Sequence, residues 1–160
     1  MSSKTTVNIS DAKVSDNPAD TLVTYSLGSC IGVCLFDSPN RIGGMLHYQL
    51  PASKMDPERA KREPFMFADT GMKLLVDKMV SMGANKKRLQ VKIAGGASMS
   101  NGPSGFDIGK RNYLALRKIC WLNSLFIDKE DIGGSSPRNM YLNLADGTVT
   151  VKCNGCETRL

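Results

Sequence analysis

Two residues of this 160-residue chain carry side chains that can work together as a nucleophile and its base, Cys30 and His47. A free thiol is mostly protonated near neutral pH, and a neighbouring imidazole can remove the proton to leave the reactive thiolate. His47 is the only histidine in the sequence, so any mechanism that needs an imidazole must use it. The alternative is structural, because cysteine is often a small buried apolar residue and a lone histidine is often a satisfied core residue.

Two strands that fold back on each other must position this pair. The pattern of apolar residues predicts strands at Ile31–Phe36 and Ile42–Leu50, and the composition of Asp37–Asn40 is typical of a turn between them. If that turn is symmetric, Cys30 faces His47. Directly opposed residues on antiparallel strands share a face, with Cβ atoms about 4.5–5.5 Å apart. A slip of one residue would instead place the two side chains on opposite faces.

Residues around the pair are candidates for supporting roles. Thr24, on the preceding strand, is a candidate to fix the orientation of the imidazole, as a third group usually does. Gly28 lets the backbone approach a substrate closely, and the N–H groups of Ser29 and Cys30 can point at a developing oxyanion. Phe106 is a candidate contact for a substrate or a helical partner, with ordinary core packing as the alternative.

The remaining sequence predicts a single α/β domain over residues 1–160, with mixed strands and two or three helices. Residues 1–20 are expected to form an arm or an edge strand, residues 52–63 a loop, and residues 153–160 a tail. Apolar residues at helical spacing predict helices from Pro64 to about Met82 and from about Lys110 to Asn123. Further strands are predicted at Leu89–Ala94, Ser124–Ile127, Met140–Leu144 and Val149–Lys152, with loops at residues 95–105 and 133–137.

Composition excludes several classes of protein. Hydrophobic residues make up 41% and charged residues 22% of the sequence, which is ordinary for a soluble globular protein. No apolar run is long enough to span a membrane, and no apolar signal core follows the N-terminus, so we expect a cytoplasmic protein. The net charge of +6 hints at an acidic partner or only a basic surface. No nucleic-acid motif accompanies the dispersed basic residues.

The five cysteines do not form the pattern of a disulfide framework, since their number is odd and the chain is long. Cys153 and Cys156 form a Cys-x-x-Cys pair, which supplies only two of the four ligands that a structural zinc site usually needs. We therefore expect no metal site and interpret the pair as incidental thiols in a terminal tail.

Several motifs together resemble the chemoreceptor glutamine deamidase family CheD. That family has a threonine six positions before the cysteine of a Gly-Ser-Cys and a histidine seventeen positions after it, and Thr24, Cys30 and His47 match this spacing. Other segments that resemble family motifs are Lys92–Ala97, Phe106–Gly109 with Arg111 and Asn112, and Asp131–Gly134 with Arg138. The resemblance extends over about residues 20–152.

The resemblance implies a layered sandwich of mixed β-sheets with flanking helices, similar to the catalytic domain of cytotoxic necrotising factor toxins. It implies hydrolysis of selected glutamine side chains of methyl-accepting chemotaxis receptors to glutamate and ammonia, a role in chemotaxis adaptation, and some methylesterase activity. Cys30 would be the nucleophile, His47 the general base and Thr24 the orienting residue, and no cofactor is required. Family members bind receptor cytoplasmic helices and often the phosphatase CheC.

Two other functions fit the same residues. The second hypothesis is a binding module of this fold that holds receptor helices or a phosphatase without turnover, although Thr24, Cys30 and His47 are all retained. It also fits a different thiol hydrolase, such as a small-molecule amidase. Modification of specific receptor glutamines distinguishes the deamidase from both alternatives.

Overall fold

A computed structural model describes residues 3–98 and 107–160, which form ten strands and three α-helices. The strands are β1 (Ser3–Thr6), β2 (Asp11–Ser15), β3 (Asp20–Leu27), β4 (Ile31–Asp37), β5 (Ile42–Tyr48), β6 (Gln90–Gly95), β7 (Ile127–Ile132), β8 (Arg138–Asn143), β9 (Val149–Cys153) and β10 (Cys156–Arg159). The helices are α1 (Pro57–Arg62), α2 (Ala68–Ser81) and α3 (Ile108–Leu122). Single 3₁₀ turns lie at Ser53–Met55, Pro64–Met66 and Lys86–Arg88.

The strands form two five-stranded sheets. The outer sheet has the order β1-β3-β8-β9-β10, and the central sheet has the order β2-β5-β4-β6-β7. Pairing is antiparallel except between β1 and β3 and between β6 and β7. The predicted mixed α/β sandwich is therefore confirmed.

The central sheet is covered on both faces, which explains why β4 and β5 are buried along their whole length. One face packs on α2 and α3 through residues that include Ile31, Val33 and Leu35. The other face packs on the outer sheet, with Cys34, Phe36 and Met45 among the side chains that fill the space between the sheets. We call this second cluster the inter-sheet core; its fully buried members are Val7, Leu22, Leu27, Cys34, Phe36, Met45, Ala94, Met140, Leu142, Leu144, Val149 and Val151.

The two ends of the chain contribute edge strands. Residues 1–20, expected as an arm or edge strand, contain β1 at the edge of the outer sheet and β2 at the edge of the central sheet. Residues 153–160, which we expected to be a tail, contain β10, which pairs with β9. The turn between these strands is Asn154-Gly155, and both residues have positive φ, 52° and 77°, as a tight two-residue hairpin turn requires.

Two predicted boundaries were wrong for identifiable reasons. Residues 52–63 are not all loop, because Pro57–Arg62 form α1. The Asp56 side chain accepts a hydrogen bond from Arg59 N at 3.1 Å, a capping signal that lies directly before a proline suited to the first helical turn. The strand predicted at Ser124–Ile127 is β7 at Ile127–Ile132 instead, an edge strand whose exposed charged residues lack an apolar pattern.

Candidate active site

In the β4–β5 hairpin, His47 lies opposite a residue two positions further along β4 than predicted. His47 lies opposite Gly32, not opposite Cys30. The prediction of a directly facing pair was wrong because the turn is displaced by one residue: Asp37 belongs to β4 and pairs with Ile42. Since side chains alternate with a period of two along a strand, an offset of two residues preserves the face.

Both predicted residues lie on the side of the central sheet that faces the outer sheet. Cys30 directly precedes β4, is partly exposed, and packs against the inter-sheet core. His47 is only 3% exposed. Between them, Gly32 leaves no room for a side chain, since an added Cβ would lie 2.9 Å from Leu27 Cδ1 and from Met140 Sδ. The described residues include no hydrogen-bond partner for His47 Nε2, so the thiol and the ring are not bonded to each other.

A β-bulge in β3 brings Thr24 to the imidazole. Pairing with β8 shifts between Thr24 and Leu27, so that both residues point inward while Tyr25 and Ser26 between them are exposed. Ser26 has a φ of 58°, and its N–H is held by Asn139 Oδ1 at 2.9 Å. The buried Thr24 hydroxyl then lies 2.7 Å from His47 Nδ1.

The hydrogen bonds of Thr24 determine which nitrogen of His47 carries the proton. Thr24 Oγ1 also lies 2.7 Å from the carbonyl oxygen of Val7. A carbonyl oxygen can only accept, so the single hydroxyl hydrogen is donated to Val7. Nδ1 must therefore donate to Thr24 Oγ1, and Nε2 keeps a free lone pair. The imidazole is thus held in the tautomer that can accept a proton at Nε2.

Burial keeps both members of the pair uncharged in the free protein. Loss of hydration lowers the pKa of the His47 imidazole from 6.5 to about 4, because burial penalises the cation. It raises the pKa of the Cys30 thiol from 9.0 to about 11, because burial also penalises the thiolate. The resting pair is consequently a thiol and a neutral imidazole, and charge separation belongs to the reaction with a substrate.

In the turn before Cys30, backbone carbonyl groups accept hydrogen bonds from the segment that follows β6, and the neighbouring N–H groups belong to Ser29 and Cys30. Ala97 N donates to Gly28 O at 2.8 Å, and Gly96 N donates to Cys30 O at 2.9 Å. Among the described residues, the N–H of Ser29 donates to no other protein group, and the N–H of Cys30 interacts with the thiol of its own residue. Two adjacent N–H groups beside a thiol form an arrangement that can stabilise a tetrahedral oxyanion.

Phe106 lies outside the described residues. The Val7 carbonyl, which accepts from Thr24, was not identified from the sequence, because side-chain spacing gives no information about a backbone group between β1 and β2. Asp11 was also missed: it pairs with His47 across β2 and β5, but its carboxylate accepts hydrogen bonds from the N–H groups of Asn8 and Ala12 rather than from the imidazole.

Cys153 and Cys156 are opposite each other in the β9–β10 hairpin, and their thiols are free rather than joined in a disulfide. Within the described parts of the chain, no group of three or more His, Cys, Asp or Glu side chains is placed to hold a metal ion. Across residues 3–98 and 107–160, every helix falls short of the length and apolar character that crossing a membrane requires.

This geometry defines a class of site: a thiol, an oriented imidazole and free backbone donors on a two-sheet α/β sandwich. Comparison with known proteins then identifies the family. Residues 49–153 match the family model described as CheD chemotactic sensory transduction. A relative from Solibacter usitatus, named probable chemoreceptor glutamine deamidase CheD, is 46% identical over 96% of this chain and 91% of its own length. The chain belongs to the CheD family.

Other relatives are named probable chemoreceptor glutamine deamidase CheD or CheD 1. A protein of Syntrophus aciditrophicus is 47% identical, with 96% of each chain covered. A protein of Methanococcus maripaludis is 38% identical over 91% of this chain and 92% of its own. The similarity therefore extends beyond the segment matched by the family model and includes the strands that carry Thr24 and Cys30.

Proposed function

We propose that this protein deamidates glutamine side chains of methyl-accepting chemotaxis receptors, with Cys30 as nucleophile, His47 as general base and Thr24 as the orienting residue. The names of its relatives support the substrate class. One observation carries the assignment of roles: Thr24 holds Nδ1 of a buried imidazole and leaves Nε2 unpaired on the face where Cys30 packs.

The proposed reaction begins when His47 Nε2 takes the proton of Cys30 Sγ and the thiolate attacks the carboxamide carbon of glutamine. The N–H groups of Ser29 and Cys30 stabilise the resulting oxyanion. The imidazolium gives its proton to the departing nitrogen, which leaves as ammonia, and a thioester remains. Water, deprotonated by His47, hydrolyses the thioester to glutamate and restores the thiol. No metal or organic cofactor takes part.

The same acyl chemistry extends the proposal to related reactions and partners. A carboxyl methyl ester presents the same carbonyl with methanol as leaving group, so some methylesterase activity accompanies deamidation. The substrates lie on receptor cytoplasmic helices, which places the reaction in the cytoplasm and within chemotaxis adaptation. A CheC-type phosphatase is a candidate partner for the surface that receives the receptor.

The test is mass spectrometry of receptor cytoplasmic fragments after incubation with the protein. Each deamidated glutamine gains about one dalton, because the amide NH₂ is replaced by OH. We expect this gain with wild type and none with Cys30→Ala. The matched control is Cys34→Ala, since Cys34 lies in β4, the strand that Cys30 directly precedes, but is buried in the inter-sheet core; it should retain deamidation. Deamidation by Cys30→Ala, or its loss in Cys34→Ala alone, would contradict the assignment.

A further inference from the structure

A buried amide on α3 holds the backbone of the candidate nucleophile. Asn112 is 0% exposed, although asparagine is usually found at the surface. Its Nδ2 donates both hydrogens, to Ser29 O at 2.9 Å and to Gln49 O at 2.8 Å. Burying a side-chain amide is unfavourable without such partners, so the position is defined by these two carbonyl groups.

The Ser29 carbonyl belongs to the peptide that carries the Cys30 N–H. In a planar trans peptide the C=O and N–H bonds point in opposite directions, and the described residues contain no cis peptide. The hydrogen bond from Asn112 therefore directs the Cys30 N–H away from α3. On the other side of the residue, Gly96 N donates to Cys30 O at 2.9 Å, so rotation of Cys30 is restrained at both of its peptides.

The helix that supplies Asn112 is itself fixed to the site. The buried Tyr48 hydroxyl, next to His47, donates to Asn112 O at 2.7 Å. At the first turn of α3, a Cβ added to Gly109 would overlap the carbonyl oxygen of Ala97, so the helix touches the segment that anchors Gly28. Asn112 thus sits where α3, β5 and the turn before Cys30 meet.

We infer that Asn112 is a positioning residue that aims the Cys30 N–H at the oxyanion of the tetrahedral intermediate, an inference that rests on the proposed function. The hydrogen bonds of its side-chain amide are made to Ser29 O and Gln49 O, not to the Cys30 thiol or the His47 ring. Loss of the amide should therefore impair the step that builds negative charge on oxygen and spare reactions of the thiol that do not.

The experiment compares two reactions of the same thiol in wild type and Asn112→Ala. Deamidation of receptor fragments forms an oxyanion, whereas alkylation of Cys30 by iodoacetamide does not. We expect kcat for deamidation to fall roughly 100-fold, the effect of misplacing a catalytic group by about 1 Å, with KM and the alkylation rate nearly unchanged. Asn40→Ala is the matched control, because Asn40 Nδ2 likewise bonds two oxygens, on Asp37 and Gly83, at the opposite end of the hairpin.

The outcomes separate this inference from the proposed function. Absence of deamidation by wild type overturns both. Wild-type kcat in Asn112→Ala, or equal losses of deamidation and alkylation, overturns the inference alone. If circular dichroism shows that Asn112→Ala does not fold, the near-isosteric Tyr48→Phe replaces it, since this change removes only the hydrogen bond to Asn112 O. A several-fold lower kcat with an unchanged alkylation rate supports the inference. An unchanged kcat overturns it.

Discussion

In the buried imidazole of His47, one ring nitrogen is hydrogen-bonded and the other has no partner among the described residues. Nδ1 donates to Thr24, whose hydrogen is fixed by Val7, while Nε2 has no partner among the described residues. Because burial lowers the pKa of His47 to about 4, the ring is neutral at physiological pH. It can therefore act as a base without first losing a proton to solvent.

This pKa has a consequence for stability. The folded protein holds His47 at a pKa of about 4, against 6.5 for the ordinary group, so between these pH values the unfolded chain binds more protons. The contribution of His47 to the free energy of unfolding is therefore fully present above about pH 6.5, and it is lost as the pH falls towards 4. This difference between the two pKa values corresponds to about 3 kcal/mol in the free energy of unfolding. We expect the free energy of unfolding, measured with urea from pH 7 to 4, to fall more steeply in wild type than in His47→Asn.

His47→Asn is informative because it removes the titrating group and leaves the carboxylates in place. Their acid titration then appears equally in both proteins and cancels in the comparison. Parallel curves for the two proteins would show that His47 is hydrated and titrates near its ordinary pKa.

At the scale of elements, the close approach of β6 to the start of β4 positions Cys30. Gly95 ends β6 with a φ of 113°, and a Cβ at this position would overlap the Cys30 carbonyl oxygen. The next residue, Gly96, donates its N–H to that same oxygen. Only glycine lets the two backbones meet here.

We expect Gly95→Ala to lower both stability and activity. The left-handed backbone costs about 1–2 kcal/mol for a residue with a Cβ, and the overlap with Cys30 adds roughly 1–3 kcal/mol. Movement of the Cys30 carbonyl should reduce kcat by at least tenfold, since small displacements of a reacting group have large effects. Thermal unfolding and receptor deamidation measure the two effects.

Gly155→Ala is the control for backbone strain alone. Gly155 also has a positive φ, 77°, but an added Cβ meets nothing within 4 Å. It should lower stability by the conformational cost only and leave kcat unchanged. Equal effects of the two substitutions on kcat would mean that the approach of β6 does not position Cys30.

At the scale of the whole molecule, the outer sheet closes over the central sheet and buries His47, the proposed base. Two strands, β8 and β9, separate β10 from β3, which carries Thr24. The β9–β10 hairpin is followed by Leu160, which packs against the inter-sheet core and whose carbonyl oxygen accepts from Lys92 Nζ of β6 at 3.0 Å. The two sheets are therefore joined at this edge as well as at the site.

Deleting Cys156–Leu160 should lower stability without changing the chemistry. Removal of one packed leucine and the pairing of β10 costs roughly 2 kcal/mol, or a fall in Tm of about 5 °C for a chain of this size. We expect kcat at 25 °C to match wild type. Glu157→Ala, an exposed residue in the same strand, should change stability by less than about 0.5 kcal/mol. A loss of kcat in the deletion would connect this edge to the site.

The sequence by itself determined the elements that depend on local pattern. Apolar residues at helical spacing predicted α2 and α3, and apolar runs bounded by turn residues predicted β4, β5 and β9 within a few residues. Thr24, Cys30 and His47 were named as candidates from their types and spacing. These features are local, because side-chain periodicity follows directly from backbone geometry.

Only the tertiary structure decided the features that depend on contacts between distant segments. Asp37 ends β4 opposite Ile42, and its carboxylate accepts a hydrogen bond from Asn85 N at 2.7 Å, a contact with a distant segment that the local pattern does not reveal. The proton of His47 is placed by the carbonyl of Val7, and the Cys30 peptide is held by Asn112 from another layer. Backbone carbonyls are the same at every residue, so a sequence pattern cannot reveal which one a folded side chain will meet.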